Sequence, residues 1–159
     1  MTEIRIVGPS DGEITRRPVG HDRFIVPGDA SGGAFALLEH VLAPRCLGGP
    51  VHRHTREDEY SYVLEGRLGA FLDGEEVVVD AGALLFKPRD QWHTFWNAGD
   101  TDVRVLELIC PGGFEQVFHE MAALDPPTPD AIAEIGARYG VDLDFQATES
   151  LLERHGLTF

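Results

Sequence analysis

Glycine and proline interrupt this chain so often that most of it cannot form long helices. Of its 159 residues, 18 are glycine and 10 are proline, and they separate short stretches rich in valine, leucine and aromatic residues. Short β-prone stretches between turn-forming residues are typical of a sandwich or barrel. The chain is therefore predicted to be mostly β. The predicted strands are Glu3 to Val7, Arg23 to Val26, Ala34 to Leu42, Glu59 to Leu64, Leu68 to Leu72, Glu76 to Val79, Leu84 to Phe86, His93 to Asn97 and Val103 to Ile109.

Two connections between these strands have the composition of hairpin loops. Asp73 and Gly74 stand between two strand-like runs, and this pair tolerates the positive φ angles that a two-residue type I′ turn requires. The segment from Ala98 to Asp102 is predicted to close a second hairpin.

The last third of the chain changes to helical patterning. After a break at residues 110–113, apolar residues recur at helical spacing. Further on, Thr128 followed by Pro129 is typical of an N-cap with proline at the first helical position. The predicted helices cover residues 114 to 124, run from Thr128 to near Gly140, and run from Thr148 to Gly156.

The length of the chain suits one domain with one sizeable core. Within it, residues 1–30 are predicted to form N-terminal strands and residues 31–110 a barrel core. Residues 111–159 are predicted to form helices that pack on the barrel or on a second subunit.

The charge of the chain argues against several classes of partner. Asp and Glu number 27 against 13 Lys and Arg, which gives a formal net charge of −14 at pH 7 with histidine neutral. Such a surface repels polyanions, so no nucleic acid and no membrane partner is expected. No stretch approaches the ~20 apolar residues of a membrane-spanning helix, and the N-terminus lacks a signal-peptide pattern. A cytoplasmic location is therefore expected.

A pair of histidines indicates possible metal chemistry. His52 and His54 are two positions apart, and side chains so spaced in a strand lie on one face, roughly 6.6 Å apart along the chain. Two such imidazoles can bind one ion, although surface histidines show the same spacing. The acidic residues Glu57, Asp58 and Glu59 follow, and each is a candidate carboxylate ligand.

Further residues resemble the two sequence motifs of the cupin family. The first motif contains two histidines separated by one residue, then a glutamate and a glycine. The second contains a glycine, a proline, a histidine and an asparagine. Two turn glycines of these motifs are replaced by Cys46 and Asp90. The matching residues are His52, His54, Glu59 and Gly66 in the first motif, and Gly82, Pro88, His93 and Asn97 in the second.

A looser likeness to small bacterial cupins similar to quercetin 2,3-dioxygenase extends beyond the motifs. Together these resemblances imply a fold and a cofactor. The fold is an all-β single cupin barrel (a double-stranded β-helix or jelly roll) with a short C-terminal helical tail, and the protein is expected to form a homodimer. The cofactor is one divalent transition metal per chain: Fe, Mn, Co, Ni, Cu or Zn. Glu59 is preferred over Glu57 and Asp58 because it alone also has the motif's spacing to Gly66. The implied ligands are His52, His54, Glu59 and His93.

The function implied by the resemblance is a metal-dependent dioxygenase that acts on a small aromatic or enolisable substrate. In such a dioxygenase, Glu59 is a metal ligand. After leaving the metal, Glu59 acts as a general base for an acidic hydroxyl of the substrate. One alternative is a zinc-dependent polyketide cyclase or isomerase that uses the metal as a Lewis acid. A further alternative is a cupin that binds a small molecule without catalysis.

Three phenylalanines are candidates for the wall of a substrate site. Phe95 lies two positions from His93, so it shares that face of the strand. Phe114 and Phe118 are four positions apart on a predicted helix and can close the mouth of the barrel. Ordinary core packing is the alternative for all three. The other histidines are interpreted as surface or hydrogen-bonded groups: His21, His40, His119 and His155.

Overall fold

Two antiparallel sheets make up most of the protein. The structure, a computed structural model, describes residues 6–159. Its strands are β1 (Glu13–Arg17), β2 (Gly20–Val26), β3 (Ala36–Leu42), β4 (Val51–His54), β5 (Asp58–Glu65), β6 (Arg67–Leu72), β7 (Glu75–Asp80), β8 (Leu84–Lys87), β9 (His93–Asn97), β10 (Val103–Cys110) and β11 (Val141–Asp144), and its helices are α1 (Gln116–Ala122), α2 (Pro129–Arg138) and α3 (Phe145–His155).

The chain crosses repeatedly between the two sheets. One sheet has the strand order β1-β2-β3-β10-β5-β8, and the other has the order β11-β4-β9-β6-β7. From β3 to β10 the chain changes sheet at every step except between β6 and β7, which form a hairpin. This crossing pattern is that of a jelly roll. It confirms the predicted all-β barrel with a C-terminal helical tail.

The space between the sheets changes character along the barrel. At one end, Val63 and Val105 of one sheet pack with Leu68 of the other, and all three side chains are fully buried. Burial of each such side chain contributes ~1.5–3 kcal/mol relative to exposure. Along β5 the buried residues then change from Val63 to Ser61 to Glu59. The barrel is therefore apolar at one end and polar near Glu59.

One of the two predicted hairpins is confirmed and the other is wrong. Asp73 and Gly74 join β6 to β7 with φ angles of 49° and 99°, as a type I′ turn requires. Ala98 to Asp102 instead form a crossover, because β9 and β10 belong to different sheets. The side-chain amide of Asn97 holds this crossover by donating to the carbonyl oxygens of Leu42, at 2.9 Å, and Thr101, at 2.7 Å.

Three observed strands, β1, β4 and β11, are absent from the predicted set, although the sequence interpretation places His52 and His54 of β4 on one face of a strand. β1 is a mostly polar edge strand, Glu-Ile-Thr-Arg-Arg, and β11 has only four residues between two helices. Neither has the apolar pattern that identifies a strand from sequence. The predicted strand from Glu3 to Val7 falls mostly on residues 1–5, which lie outside the described residues, and Ile6 and Val7 are not in a strand.

The C-terminal segment contacts the barrel of its own chain through both a strand and a helix. β11 pairs with β4, and Leu151 of α3 packs against Val51 and Trp96 on the five-stranded sheet. α2 begins as predicted, since the hydroxyl oxygen of Thr128 accepts the Ala131 N–H at 3.3 Å. None of the helices within residues 6–159 has the length and apolarity to cross a membrane.

The third helix begins four positions earlier than predicted, as its N-cap shows. Asp144 is its N-cap, and the Asp144 carboxylate accepts the Ala147 N–H at 2.8 Å. The predicted cap, Thr148, lies inside the helix, where its hydroxyl accepts the Val51 N–H at 2.9 Å and so ties the helix to β4. The predicted end at Gly156 is confirmed by its φ of 59°.

Candidate metal centre

Three histidines and one glutamate meet between the two sheets. His52 and His54 lie on β4, and His93 on the neighbouring strand β9 is the register partner of His52. Glu59 comes from β5 of the other sheet. One ligand-type atom from each of the four residues lies within 4.8 Å of the others. The structure therefore brings together the four residues that the resemblance assigns to a metal.

Neighbouring oxygen atoms orient the three imidazoles. Nδ1 of His52 donates to the carbonyl oxygen of Pro50 at 2.7 Å, and Nδ1 of His93 donates to that of Gln91 at 3.0 Å. Each ring therefore carries its hydrogen on Nδ1 and keeps a lone pair on Nε2 for a metal. Nδ1 of His54 lies 3.4 Å from the Glu57 carboxylate, in the same outer position.

The spacing and chemistry of these atoms fit one shared cation. Glu59 lies 3.2 Å from Nε2 of His54 through Oε1 and 3.2 Å from Nε2 of His93 through Oε2. Atoms ~2.1 Å from one ion and ~90–110° apart around it are separated by roughly 3.0–3.4 Å. Both ring nitrogens of His54 are buried without a hydrogen-bond partner among residues 6–159, and a cation would satisfy Nε2. A set of three imidazoles and one carboxylate suits a divalent transition metal.

The charges in this cluster give its members opposite pKa shifts. Burial, together with the neighbouring histidines His93 and His54, holds the pKa of His52 well below its usual value. Burial also opposes charge on His54, but the carboxylates of Glu59 and Glu57 outweigh it and raise the pKa of His54 to about 9. Without a metal, His54 therefore carries a proton at neutral pH.

We predict that metal binding releases this proton. Because the pKa of His54 is raised to about 9, the metal-free protein holds the proton at pH 7, and a cation at Nε2 must displace it. About one proton per metal should appear at pH 7, and the release should disappear as the pH rises through that pKa. Titration of zinc into weakly buffered, metal-free protein with a pH indicator measures it. A His119→Gln variant should behave like the wild type, and zinc binding at pH 7 without proton release would contradict the prediction.

The two other candidate carboxylates lie outside the cluster. Glu57 is buried and contacts His54 on the side away from Glu59. Asp58 pairs instead with the guanidinium of Arg89 at 2.8 Å. Among these three acidic residues, only Glu59 has its carboxylate among the ligand-type atoms.

Sequence reasoning missed a buried lysine beside the cluster. Lys87 is 1% exposed, and its ammonium lies 2.8 Å from Oε2 of Glu59 and 3.0 Å from Oε1 of Glu107. Burial opposes charge on both Glu59 and Lys87. Lys87 and His54 nevertheless hold the pKa of Glu59 well below its usual value, and Glu107 and Glu59 raise the pKa of Lys87. Glu59 is therefore ionised and anchored through Oε2.

One of these two hidden groups had a sequence signal. In β10, Glu107 alternates with the buried residues Val105 and Ile109, so a charged residue stands on the apolar face of that strand. Lys87 had no such signal, because both faces of β8 are otherwise apolar (Leu-Leu-Phe-Lys) and the inward face cannot be identified from the sequence.

A cavity of about 330 Å³ adjoins the cluster. Its wall includes His52 and Glu59, and most of the remaining lining is apolar. The three predicted phenylalanines, Phe95, Phe114 and Phe118, all line it. This volume is near the lower limit for small-molecule sites, ~300–1,000 Å³, and suits a molecule of a few rings at most.

Phe114 and Phe118 also contact each other and the cluster. The ring of Phe114 meets that of His54 edge-on at 4.3 Å between centroids, and that of Phe118 at 5.7 Å. The helix predicted over residues 114 to 124 is present as the shorter α1, which begins at Gln116. Phe114 therefore precedes the helix, contrary to the prediction. Phe118 lies on α1.

Comparison with known proteins gives a consistent family. Residues 38–109 match the family model of the cupin domain. The chain is 34% identical over 100 residues to the tetracenomycin polyketide synthase protein TcmJ of Streptomyces glaucescens, covering 61% of this chain and 65% of that protein. It is 35% identical over 104 residues to quercetin 2,3-dioxygenase of Aspergillus japonicus, covering 61% and 29%.

One solved structure extends this similarity to the fold. The polyketide cyclase RemF from Streptomyces resistomycificus aligns with a TM-score of 0.57 and 27% identity, covering 68% of this chain and 80% of that chain. The chain spans less than two thirds of the length of TcmJ and of the quercetin dioxygenase. With the jelly roll and the matching family model, residues 38–109 of this chain are a cupin domain.

Proposed function

We propose that this protein is a metal-dependent dioxygenase for a small aromatic or enolisable substrate. The observation that carries the proposal is a cluster of three histidines and one glutamate, all but His52 buried, that adjoins an apolar cavity lined by phenylalanines. When bound, a redox-active divalent metal would supply a binding position for an ionised substrate oxygen and the electron transfer that dioxygen chemistry needs. The proposed ligands are His52, His54, Glu59 and His93.

The protein's own groups would then bind and orient the substrate. Phe95, Phe114 and Phe118 would pack against its ring system and exclude water from the reacting oxygen. Glu59 is proposed as both ligand and general base. Because Lys87 holds Oε2 of Glu59, proton transfer to this carboxylate would take place at Oε1, the oxygen near His54.

A second candidate function is a zinc-dependent polyketide cyclase or isomerase. The observation that favours it is the coverage of the relatives: the similarity spans 65% of TcmJ and 80% of RemF but only 29% of the quercetin dioxygenase. In this case the bound metal would act as a Lewis acid on a substrate carbonyl. Both functions would use the same apolar cavity and a substrate oxygen at the metal.

Oxygen consumption separates these functions. We expect metal-loaded protein to consume dioxygen with a panel of flavonols and hydroxynaphthoates, and to be inactive on the same panel without oxygen. An oxygen electrode and an anaerobic control measure this, with His52→Ala as the metal-deficient reference. Turnover of a polyketide substrate at equal rates with and without oxygen would contradict the dioxygenase and support the cyclase. Tight binding without any turnover would indicate a binding protein.

The predicted homodimer has one supporting surface feature. Tyr62, Leu84 and Phe86 are 42%, 58% and 51% exposed. They lie on β5 and on β8, and β8 is the last strand at one edge of its sheet. We propose this surface as the dimer contact.

A further inference from the structure

His40 on β3 is a buried histidine that is not part of the metal centre. Nδ1 of His40 lies 2.7 Å from Oδ1 of Asp22, its register partner on β2. The same carboxylate oxygen accepts a hydrogen bond from Arg17 at 2.8 Å. His40 is 2% exposed and Asp22 is 0% exposed. A carboxylate accepts hydrogen bonds, so Nδ1 of His40 carries a hydrogen, and in the neutral imidazole Nε2 keeps its lone pair.

The side chain of His40 borders the cavity beside the metal cluster. His40 lines that cavity together with His52 and Glu59. Within residues 6–159, hydrogen bonding engages only Nδ1 of His40, and Nε2 is not among the buried atoms that lack a partner. The rings of Phe118 and Phe95 flank it, with centroids at 5.1 and 5.8 Å. His40 therefore offers a single proton acceptor between two aromatic walls.

Charged groups lie on two neighbouring strands around His40. Burial disfavours the carboxylate of Asp22, but His40 and Arg17 outweigh burial and hold the pKa of Asp22 below its usual value. Asp22 is therefore ionised and would stabilise an imidazolium. From the neighbouring strand β10, Glu107 also lines the cavity, and its charge is paired with Lys87.

We propose that His40 is a catalytic proton acceptor for a second substrate hydroxyl, and that Asp22 is its positioning residue. The proposal rests on the proposed function, in which one substrate oxygen is at the metal. At the hydroxyl near His40 the O–H bond breaks, an N–H bond forms at Nε2, and the electron pair stays on the oxygen. The same proton returns when the product leaves. The substrate class is then a planar phenol or enol with oxygens at both ends of its ring system.

Ionisation of a bound phenol tests this without any turnover. The probe is 7-hydroxycoumarin, whose neutral and ionised forms absorb at different wavelengths, and the protein is loaded with redox-silent zinc. We expect the acid dissociation constant of the bound probe to fall about tenfold or more in His40→Gln and in Asp22→Asn. This fall corresponds to a rise of about one unit in the pKa of the probe. The control is His21→Gln, which precedes Asp22 on β2 and is absent from the cavity wall; it should match the wild type.

The outcomes of this test separate the two proposals. An unchanged ionisation constant in both variants would overturn the role of His40, and an intact zinc content would leave the metal function in place. Failure of the wild type to bind the probe would also overturn the role of His40, because the cavity must accept a phenol of this size. Absence of zinc binding by the wild type would instead contradict the metal function. If His40→Gln does not fold by circular dichroism, the change measured in Asp22→Asn decides.

Discussion

Replacement of His93 by alanine is expected to remove most of the bound metal. His93 supplies one of four ligand-type atoms, and its ring is already oriented for binding by the Gln91 carbonyl. Loss of an outer partner of a metal ligand typically costs ~10–100-fold in affinity, so loss of the ligand itself should cost more than ~100-fold. His52→Ala should have the same effect. Elemental analysis of protein loaded with metal and then dialysed measures the metal content per chain.

The control for this prediction is a histidine outside the cluster. His155 on α3 pairs with Glu76, so His155→Ala should retain full metal content. A metal that binds only the native state also stabilises it, so a chelator should lower the Tm of the wild type and leave that of His93→Ala unchanged. Full metal content in His52→Ala or His93→Ala would show that the ligand assignment is wrong.

Glu59→Gln is expected to retain part of the metal while the chemical step becomes much slower. The amide keeps an oxygen that can bind a cation and accept the Lys87 hydrogen bond, but it loses the charge and nearly all basicity. A positioned general base contributes typically ~10²–10⁴-fold, so kcat per bound metal should fall by about that factor. The measurement is kcat with the best substrate of the oxygen-uptake panel, divided by metal content.

A second glutamate on the same strand provides the control. Glu65 on β5 pairs with Arg104 at the surface, and Glu65→Gln should leave both metal content and kcat unchanged. If Glu59 is only a ligand, kcat per bound metal in Glu59→Gln should remain close to the wild-type value. That result would remove the proton-transfer role and favour a Lewis-acid enzyme or a binding protein.

The sequence was sufficient for the barrel and for the grouping of the four metal-type residues. His52 and His54 alternate on one strand, and the resemblance to the two cupin motifs adds Glu59 and His93 to this pair. Alternation and turn chemistry are local properties, so they can be recognised without the fold. The hairpin at Asp73 and Gly74 was predictable for the same reason.

The sequence failed where pairing between distant strands decided the structure. Ala98 to Asp102 have the composition of a hairpin loop, yet they connect strands of different sheets. The short strand β11 exists because it pairs with β4, beside the two histidines. Such pairing depends on the whole jelly roll and leaves no periodic pattern in four residues.

Sequence by itself determined the all-β class and the helical tail, because these depend on local pattern, and the resemblance to the cupin motifs identified the residues that can hold a metal. Only the tertiary structure revealed the polar groups around them. Lys87 comes 28 positions after Glu59 and pairs with it across adjacent strands. His40 meets Asp22 in the same way, 18 positions away in the sequence. A charge can be buried only where a partner compensates its lost hydration, and the chain path alone decides which partner is within reach.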